Sequence, residues 1–268
     1  MKFGAIIIGD EILSGKRADK HLAKTIELLG ARGIALAYAH YVGDDPQRIT
    51  AALVAALASG DTVFSFGGIG ATPDDHTRQC AALAAGKPLV LTAAARAAIE
   101  ERIQDVAREQ GLPYEPDRPD NLHRLQMGMF PDGASLIPNP YNKIPGFSYP
   151  GVDQGRVHFV PGFPVMAWPM VEWVLETQCT TWFQRDAWRE QSVIVFGAME
   201  SLLTPLMERL EQAHPVKVFS LPSVDHPEYG RHIELGVKGD PQVLEAAYAD
   251  LLAGLRSMNM PLGPELVR

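Results

Sequence analysis

The sequence predicts an α/β fold built on a mostly parallel sheet, with a smaller α+β unit behind it. Two patterns carry that prediction. Short β-rich apolar runs alternate with amphipathic helical stretches from residue 2 to residue 85, the order expected of parallel strands joined by right-handed helical crossovers. After a stretch dense in Pro and Gly, a second alternation of elements starts near residue 187.

The elements follow in order. "KFGAIIIG" (2–9) is an unbroken apolar run, the pattern of a strand covered on both faces. "ADKHLAKTIELLGARG" is helical, with Leu22, Ile26 and Leu29 on one face and Gly30 or Gly33 as the stop. "IALAYAHYV" (34–42) is the next strand. Asp45 then caps a helix with Pro46 at its first position and Ile49, Leu53 and Leu57 on its apolar face. "DTVFSF" (61–66) is a third strand. Two helices come next, one over about 74–85 and one from Thr92 that carries Ile99, Ile103 and Val106 and closes at Gly111 and Pro113. Residues 113–165 are so rich in Pro and Gly that they read as long ordered loops, with "RVHFV" (156–160) as a strand. "VMAWPMVEWVLETQ" is helical, with Pro169 near its start. "QSVIVFG", "VKVFSL" and "RHIELGVKG" are strands, and "SLLTPLMERLEQA" is a helix capped by Ser201 or Thr204. "DPQVLEAAYADLLAGLRS" is a helix capped by Asp240. This βαββα unit is expected to form a second domain, 183–268, behind a first domain of residues 1–182, with the boundary in the range 180–188.

Composition narrows the function. The chain has 268 residues, 46% hydrophobic and 21% charged, with a formal net charge of −8 and no block of Lys and Arg. A broad nucleic-acid-binding surface is not expected from that balance. An acidic protein that binds a phosphorylated ligand must offset repulsion locally, with backbone N–H groups, helix termini or a divalent metal. Cys80 and Cys179 have no metal-ligand spacing and read as buried thiols in a reducing compartment. "MKFGAIIIGDEIL" has too short an apolar run for a signal peptide, and no run of roughly 18 apolar residues occurs. A cytoplasmic protein without a membrane span is expected.

The most informative stretch is "SFGGIGATPDDHT" (65–77). A Gly-rich loop between a parallel strand and a helix sits where open α/β sheets bind ligands. Gly67, Gly68 and Gly70 permit positive φ and close approach of a ligand, and successive amides there can form an anion nest. A purely structural reading competes: Thr72 as helix cap, Pro73 at the first position, and Asp74 and Asp75 opposing the helix dipole for ~0.3–1 kcal/mol each. The loop is neither a Walker A nor a G-x-G-x-x-G turn. A second acidic pair, Asp10 and Glu11, ends the first strand. If strands one and three are neighbours, Asp10, Glu11, Asp74 and Asp75 converge, and carboxylates beside a phosphate nest need a Mg²⁺-like ion. That arrangement suits hydrolysis of a pyrophosphate bond. His76 reads as an exposed first-turn histidine or a proton relay, and Thr77 as a ligand contact or a cap. The stretch thus serves as both helix start and phosphate cradle.

"GDEILSG", "VGDDPQRI" and "GGIGATPDDHT", followed by "MFPDGASLIPN", "KIPGF" and "FVPGFP", resemble the N-terminal domain of the competence/damage-inducible protein A family. That domain belongs to the molybdopterin-binding, Mog-like superfamily, and a similar one opens eukaryotic FAD synthase. The resemblance implies a three-layer α/β sandwich that binds a phosphorylated pterin or nucleotide at the glycine loop. It implies metal-dependent hydrolysis of ADP-ribose- or FAD-like diphosphates or, alternatively, a non-catalytic molybdopterin- or nucleotide-binding module. By matching position, Gly67, Gly68, Gly70, Thr72, Thr77 and Asp19 contact the ligand, Asp74 and Asp75 are catalytic, and Asp10, Glu11, Asp74 and Asp75 hold a divalent metal (Mg, Mn or Co). Lys20 and His21 replace the family's usual Thr-Asn step, and Met166 stands near the place of a usual acid. The resemblance also implies a homo-oligomer and, with no deamidase domain before Arg268, no nicotinamide-nucleotide deamidation.

Overall fold

A computed structural model describes residues 1–183 and 189–267; the expected boundary at 180–188 falls partly outside them. The chain separates into two compact units, Met1–Phe183 and Gln184–Arg268. The first unit runs β1 (Phe3–Ile8), α1 (Asp10–Leu13), α2 (His21–Gly30), β2 (Leu36–Val42), α3 (Pro46–Ala58), β3 (Thr62–Phe66), α4 (Thr77–Ala85), β4 (Leu89–Leu91) and α5 (Ala93–Gln110). It continues with α6 (Pro119–Leu125), β5 (Met129–Pro131), β6 (Ser135–Ile137), β7 (Gly146–Pro150), β8 (Arg156–Val160) and α7 (Pro164–Gln178).

Its main sheet has the order β2-β1-β3-β8-β7-β6. The first four strands are parallel, and β7 and β6 are added antiparallel at one edge. The unbroken apolar pattern of β1 follows from cover on both faces: Phe3, Ala5 and Ile7 pack with α2 and α7, whereas Ile6 and Ile8 pack with α3 and α4. This is a three-layer α/β sandwich. On the second face Phe159, Phe147 and Phe130 stack in a row, with centroids 4.2 and 4.6 Å apart.

Caps behave as the sequence implies at three helices. Asp45 accepts from the Arg48 amide, Thr92 from that of Ala95 and Asp240 from that of Gln242. Other expectations are corrected. The helix expected at 74–85 starts at Thr77, because Thr72–Asp75 close on themselves as a turn instead of capping it. Ile26 is 51% exposed; α2 buries His21, Thr25, Leu28 and Leu29, a face rotated from the expected one. Residues 113–165 hold α6 and the strands β5–β7 besides β8, all too short to show a period. Pro169 lies inside α7.

The second unit runs β9 (Arg189–Phe196), α8 (Glu200–Ala213), β10 (Lys217–His226), β11 (Gly230–Gly239), α9 (Pro241–Ser257) and β12 (Leu262–Val267). Its antiparallel sheet has the order β10-β11-β9-β12, and α8 and α9 pack on one face over Val193, Val195, Leu235 and Val237. The unexpected β12 makes the unit βαββαβ. Neither Ser201 nor Thr204 caps α8; Thr204 Oγ1 donates back to the Glu200 carbonyl within the helix. Among the described residues no helix is long and apolar enough to cross a membrane.

One core pair makes stability depend on pH. His158 on β8 is paired across the ladder with Ser148 on β7, its Nδ1 2.7 Å from the hydroxyl, and it stacks on Phe64. Burial pushes the imidazole down to about 3, so it folds neutral. Its contribution is complete above the unfolded value near 6.5 and is lost as pH falls from there toward 3, because only the unfolded chain takes up the proton. Between pH 7 and 5, above most carboxylate titration, His158 accounts for a fall of about 2 kcal/mol in unfolding free energy. Urea unfolding checks this. The double variant Ser148→Ala/His158→Phe is expected to show a shallower fall, and an equally steep one refutes the assignment.

Candidate functional site

The carboxyl ends of β1, β2, β3 and β8 meet at one edge of the first unit, the edge at which open parallel sheets present their loops. A cleft of about 660 Å³ opens there. It is lined by the glycine loop, Gly67 to Thr72, together with Glu11, Asp44, Asp74 and Asp75. Met127, Asn139, Asn142, Ile144, Pro145, Phe163 and Met166 also line it.

The loop's shape follows from its glycines and from what grips it. Gly67 and Gly68 have φ of +98° and +69°, a region that favours glycine. A Cβ on Gly67 would lie 2.5 Å from the Ile8 carbonyl oxygen, and one on Gly68 would strike Thr77 Oγ1. The loop's carbonyls are held by the protein: the Thr77 amide donates to Gly68 (3.0 Å), Arg78 Nη2 to Gly70 (2.6 Å) and His123 Nε2 to Ala71 (2.8 Å). Arg78 also donates through Nη1 to the Gln126 carbonyl. In a trans peptide the N–H points away from the carbonyl before it. Holding the Gly68 and Gly70 carbonyls therefore turns the Ile69 and Ala71 amides the opposite way, whereas the Thr72 amide, which follows Ala71, is taken up by Asp75. Among the described residues, the amides of Gly68, Ile69, Gly70 and Ala71 donate to no protein acceptor. Asp75 closes the loop by accepting from the Thr72 amide (2.8 Å) and hydroxyl (2.6 Å).

The acids divide into two kinds. Asp10 and Asp44 form a reciprocal clasp, each carboxylate accepting from the other's amide, at 3.1 and 2.9 Å. Asp10 thereby faces a neighbouring groove between α1 and α3, whereas Asp44 lines the cleft. Burial raises the Asp44 carboxyl above its ordinary range, and the charges of Asp10, Glu11 and Asp74 raise it further. Asp74 lies below that range, lowered by hydrogen bonding within the Thr72–Asp75 turn, its own amide included.

The expected site residues thus fall into two sets. Gly67, Gly68, Gly70, Thr72, Glu11, Asp74 and Asp75 line the cleft. Asp10, Asp19 and Thr77 do not. Asp19 instead accepts from the amides of His21 and Leu22 and from the Tyr41 hydroxyl, and so secures the start of α2. Thr77 is buried beneath the loop. The expected quartet of Asp10, Glu11, Asp74 and Asp75 is not assembled as a cage; among the described residues no group of three or more His, Cys, Asp or Glu is placed to hold a metal. His21 is buried, stacked on Phe66 at 4.5 Å, and donates from Nε2 to the Gly162 carbonyl at 2.9 Å. Burial lowers its imidazole pKa. Sequence reasoning missed Asp44, Arg78, His123 and the apolar part of the lining. The Asp-Asp repeat at 44–45 and the recurring Asn in "PNPYNK" were the available signals.

Residues 4–180 match the family described as probable molybdopterin binding domain. A CinA-like protein of Citrifermentans bemidjiense is 31% identical over 221 residues, which cover 81% of this chain and 50% of that protein. A CinA-like protein of Geotalea uraniireducens is 32% identical over 257 residues, covering 94% and 56%. The chain spans about half the length of these curated relatives. The solved structure of CinA, a protein with unknown function from Thermoplasma acidophilum, matches with a TM-score of 0.55 at 27% identity over 66% of this chain and 98% of that one. The chain belongs to the probable molybdopterin-binding domain family and is similar to the CinA-like proteins.

Proposed function

We propose that the cleft binds a phosphorylated heteroaromatic ligand and that the protein hydrolyses the diphosphate of an ADP-ribose- or FAD-like nucleotide with a divalent ion. The observation that carries this reading is the glycine loop, where amides 68–71 are free of protein acceptors while the carbonyls of Gly68, Gly70 and Ala71 are held. Four free amides in a glycine turn suit the oxygens of one phosphoryl group. The apolar part of the lining, Met127, Ile144 and Pro145, suits a flat ring.

The carboxylates fit an ion that arrives with its ligand. Mg²⁺ is commonly bound through one or two carboxylates plus substrate phosphates rather than by an all-protein cage. One or two of Glu11, Asp44 and Asp74 would hold it beside the ligand's phosphate oxygens; Asp44 is raised first by burial and then by the charges of Asp10, Glu11 and Asp74, and a cation relieves that second part. Such an ion supplies charge neutralisation on the phosphoryl oxygens. The chain's own residues do the rest: the loop amides orient the phosphoryl group, the apolar wall excludes water from the ring, and the ionised Asp74 accepts a hydrogen bond from the attacking water. Asp75 acts through the loop by holding Thr72. A second reading, a molybdopterin or nucleotide carrier without catalysis, is favoured by the family's description and by the lack of a three-acid cage among the described residues.

Assays of ADP-ribose and FAD with Mg²⁺, Mn²⁺ or Co²⁺ separate the two. Turnover is expected, and Asp74→Asn is expected to lower kcat by roughly 100-fold. Saturable pterin binding with no turnover under any ion leaves the carrier reading. Gly68→Ala is expected to weaken ligand binding in calorimetry by about tenfold or more under either reading, because the new Cβ displaces the loop from Thr77. Unchanged affinity in that variant removes the glycine loop from the site.

A further inference from the structure

Two cations line the same cleft, and the reading above gives them no part. Lys16 and Arg17 lie on the connector between α1 and α2. That connector is secured at both ends. The Arg17 amide donates to the Glu11 carbonyl at 2.9 Å, and Asp19 accepts from the His21 amide at 2.8 Å and the Tyr41 hydroxyl at 2.8 Å. Between the anchors, Gly15 turns the chain with φ of +73°.

Among the described residues neither Lys16 nor Arg17 forms an ion pair, although Glu11, Asp44, Asp74 and Asp75 line the same cleft. The Arg17 guanidinium lies instead over the Phe163 ring, 5.8 Å from its centroid. Phe163 is 55% exposed, so this contact is readily exchanged for a stronger partner. One phosphoryl group uses the four free amides of the glycine loop. A second group linked to it enters a cleft with four carboxylates, in a chain of net charge −8. Lys16 and Arg17 are the Lys and Arg side chains lining that cleft. A guanidinium fork and an ammonium suit phosphate oxygens through charge-assisted hydrogen bonds.

We propose that Lys16 and Arg17 determine which anions the site accepts, forming a second anion subsite that selects two linked phosphoryl groups over one. The inference rests on the glycine loop binding the first phosphoryl group. Calorimetry with inorganic pyrophosphate and inorganic phosphate at fixed free Mg²⁺ tests it on the full chain. The parent protein is expected to bind pyrophosphate more tightly than phosphate. Lys16→Gln/Arg17→Gln is expected to weaken pyrophosphate by ~10-fold or more, to change phosphate by less than about twofold, and to flatten the salt dependence of pyrophosphate binding. Arg17→Lys is expected to recover part of the loss, which a merely structural role would not give. Equal weakening of both anions, no weakening of either, or no preference for pyrophosphate in the parent overturns the inference while leaving the loop's role intact. Absence of binding of both anions by the parent overturns both.

Discussion

The candidate site depends on a set of hydrogen bonds that do not touch the cleft. Arg78, His123 and the Thr77 amide hold three carbonyls of the glycine loop, and peptide planarity turns the Ile69 and Ala71 amides away from the grip on Gly68 and Gly70. Arg78 is buried, and burial lowers its pKa while the Asp75 charge works against that shift. A buried guanidinium is costly unless its donors are used. Here Nη1 and Nη2 bind carbonyls while Nε has no partner, so the desolvation cost is offset only in part. The glycines are thus necessary but not sufficient; without the buried donors the same residues would form an ordinary turn.

The charge arrangement follows a related logic. An acidic chain that presents bare amides to an anion must place its carboxylates carefully, and it does so in two ways. Asp10 and Asp19 spend their oxygens on backbone amides, which fixes α1 against the segment after β2 and fixes the start of α2. Glu11, Asp44 and Asp74 face the cleft and raise its negative potential, which makes any cation there, resident or delivered, more strongly held. His21 shows the same economy of place. It stands where the resembled family usually has a small polar residue, but it is neutral, buried and spent on the Gly162 carbonyl, so it shapes the wall instead of adding charge.

Much of the parallel sheet was legible because covered strands leave long apolar runs and crossover helices leave caps. β1, β3, α3 and α5 were each announced by a run, a Pro or a cap. The antiparallel edge was not legible: β6 and β7 are short and embedded among prolines, so neither shows a period, although each pairs with its neighbour in sequence. At the site, glycines and aspartates at 67–75 were visible because turn chemistry is local. Arg78 and His123 were not, since a helical arginine and a loop-flanking histidine look like surface residues until the fold buries one and brings the other to the Ala71 carbonyl. The same limit misled the reading of Asp10: its adjacency to Glu11 was visible, its clasp with Asp44 was not.

The two sets of residues that line the cleft rest on different physical foundations. The glycine loop runs between β3 and α4, and its supports, Thr77 and Arg78, are buried within the unit. Substitution there perturbs packing and loop geometry together. The opposing wall comes from the segment before β7 and the start of α7, where Asn139 and Asn142 hydrogen-bond one another and Ile144, and Lys143 holds a φ of +64° while paired with Glu101 and Asp105. A non-glycine residue in that region carries strain that its ion pairs must hold in place. Residues on this wall, such as Met166 and Phe163, can change with little cost to the sheet beneath, because they lie at the half-exposed start of α7 rather than in its buried stripe of Ala167, Met170, Val171 and Val174.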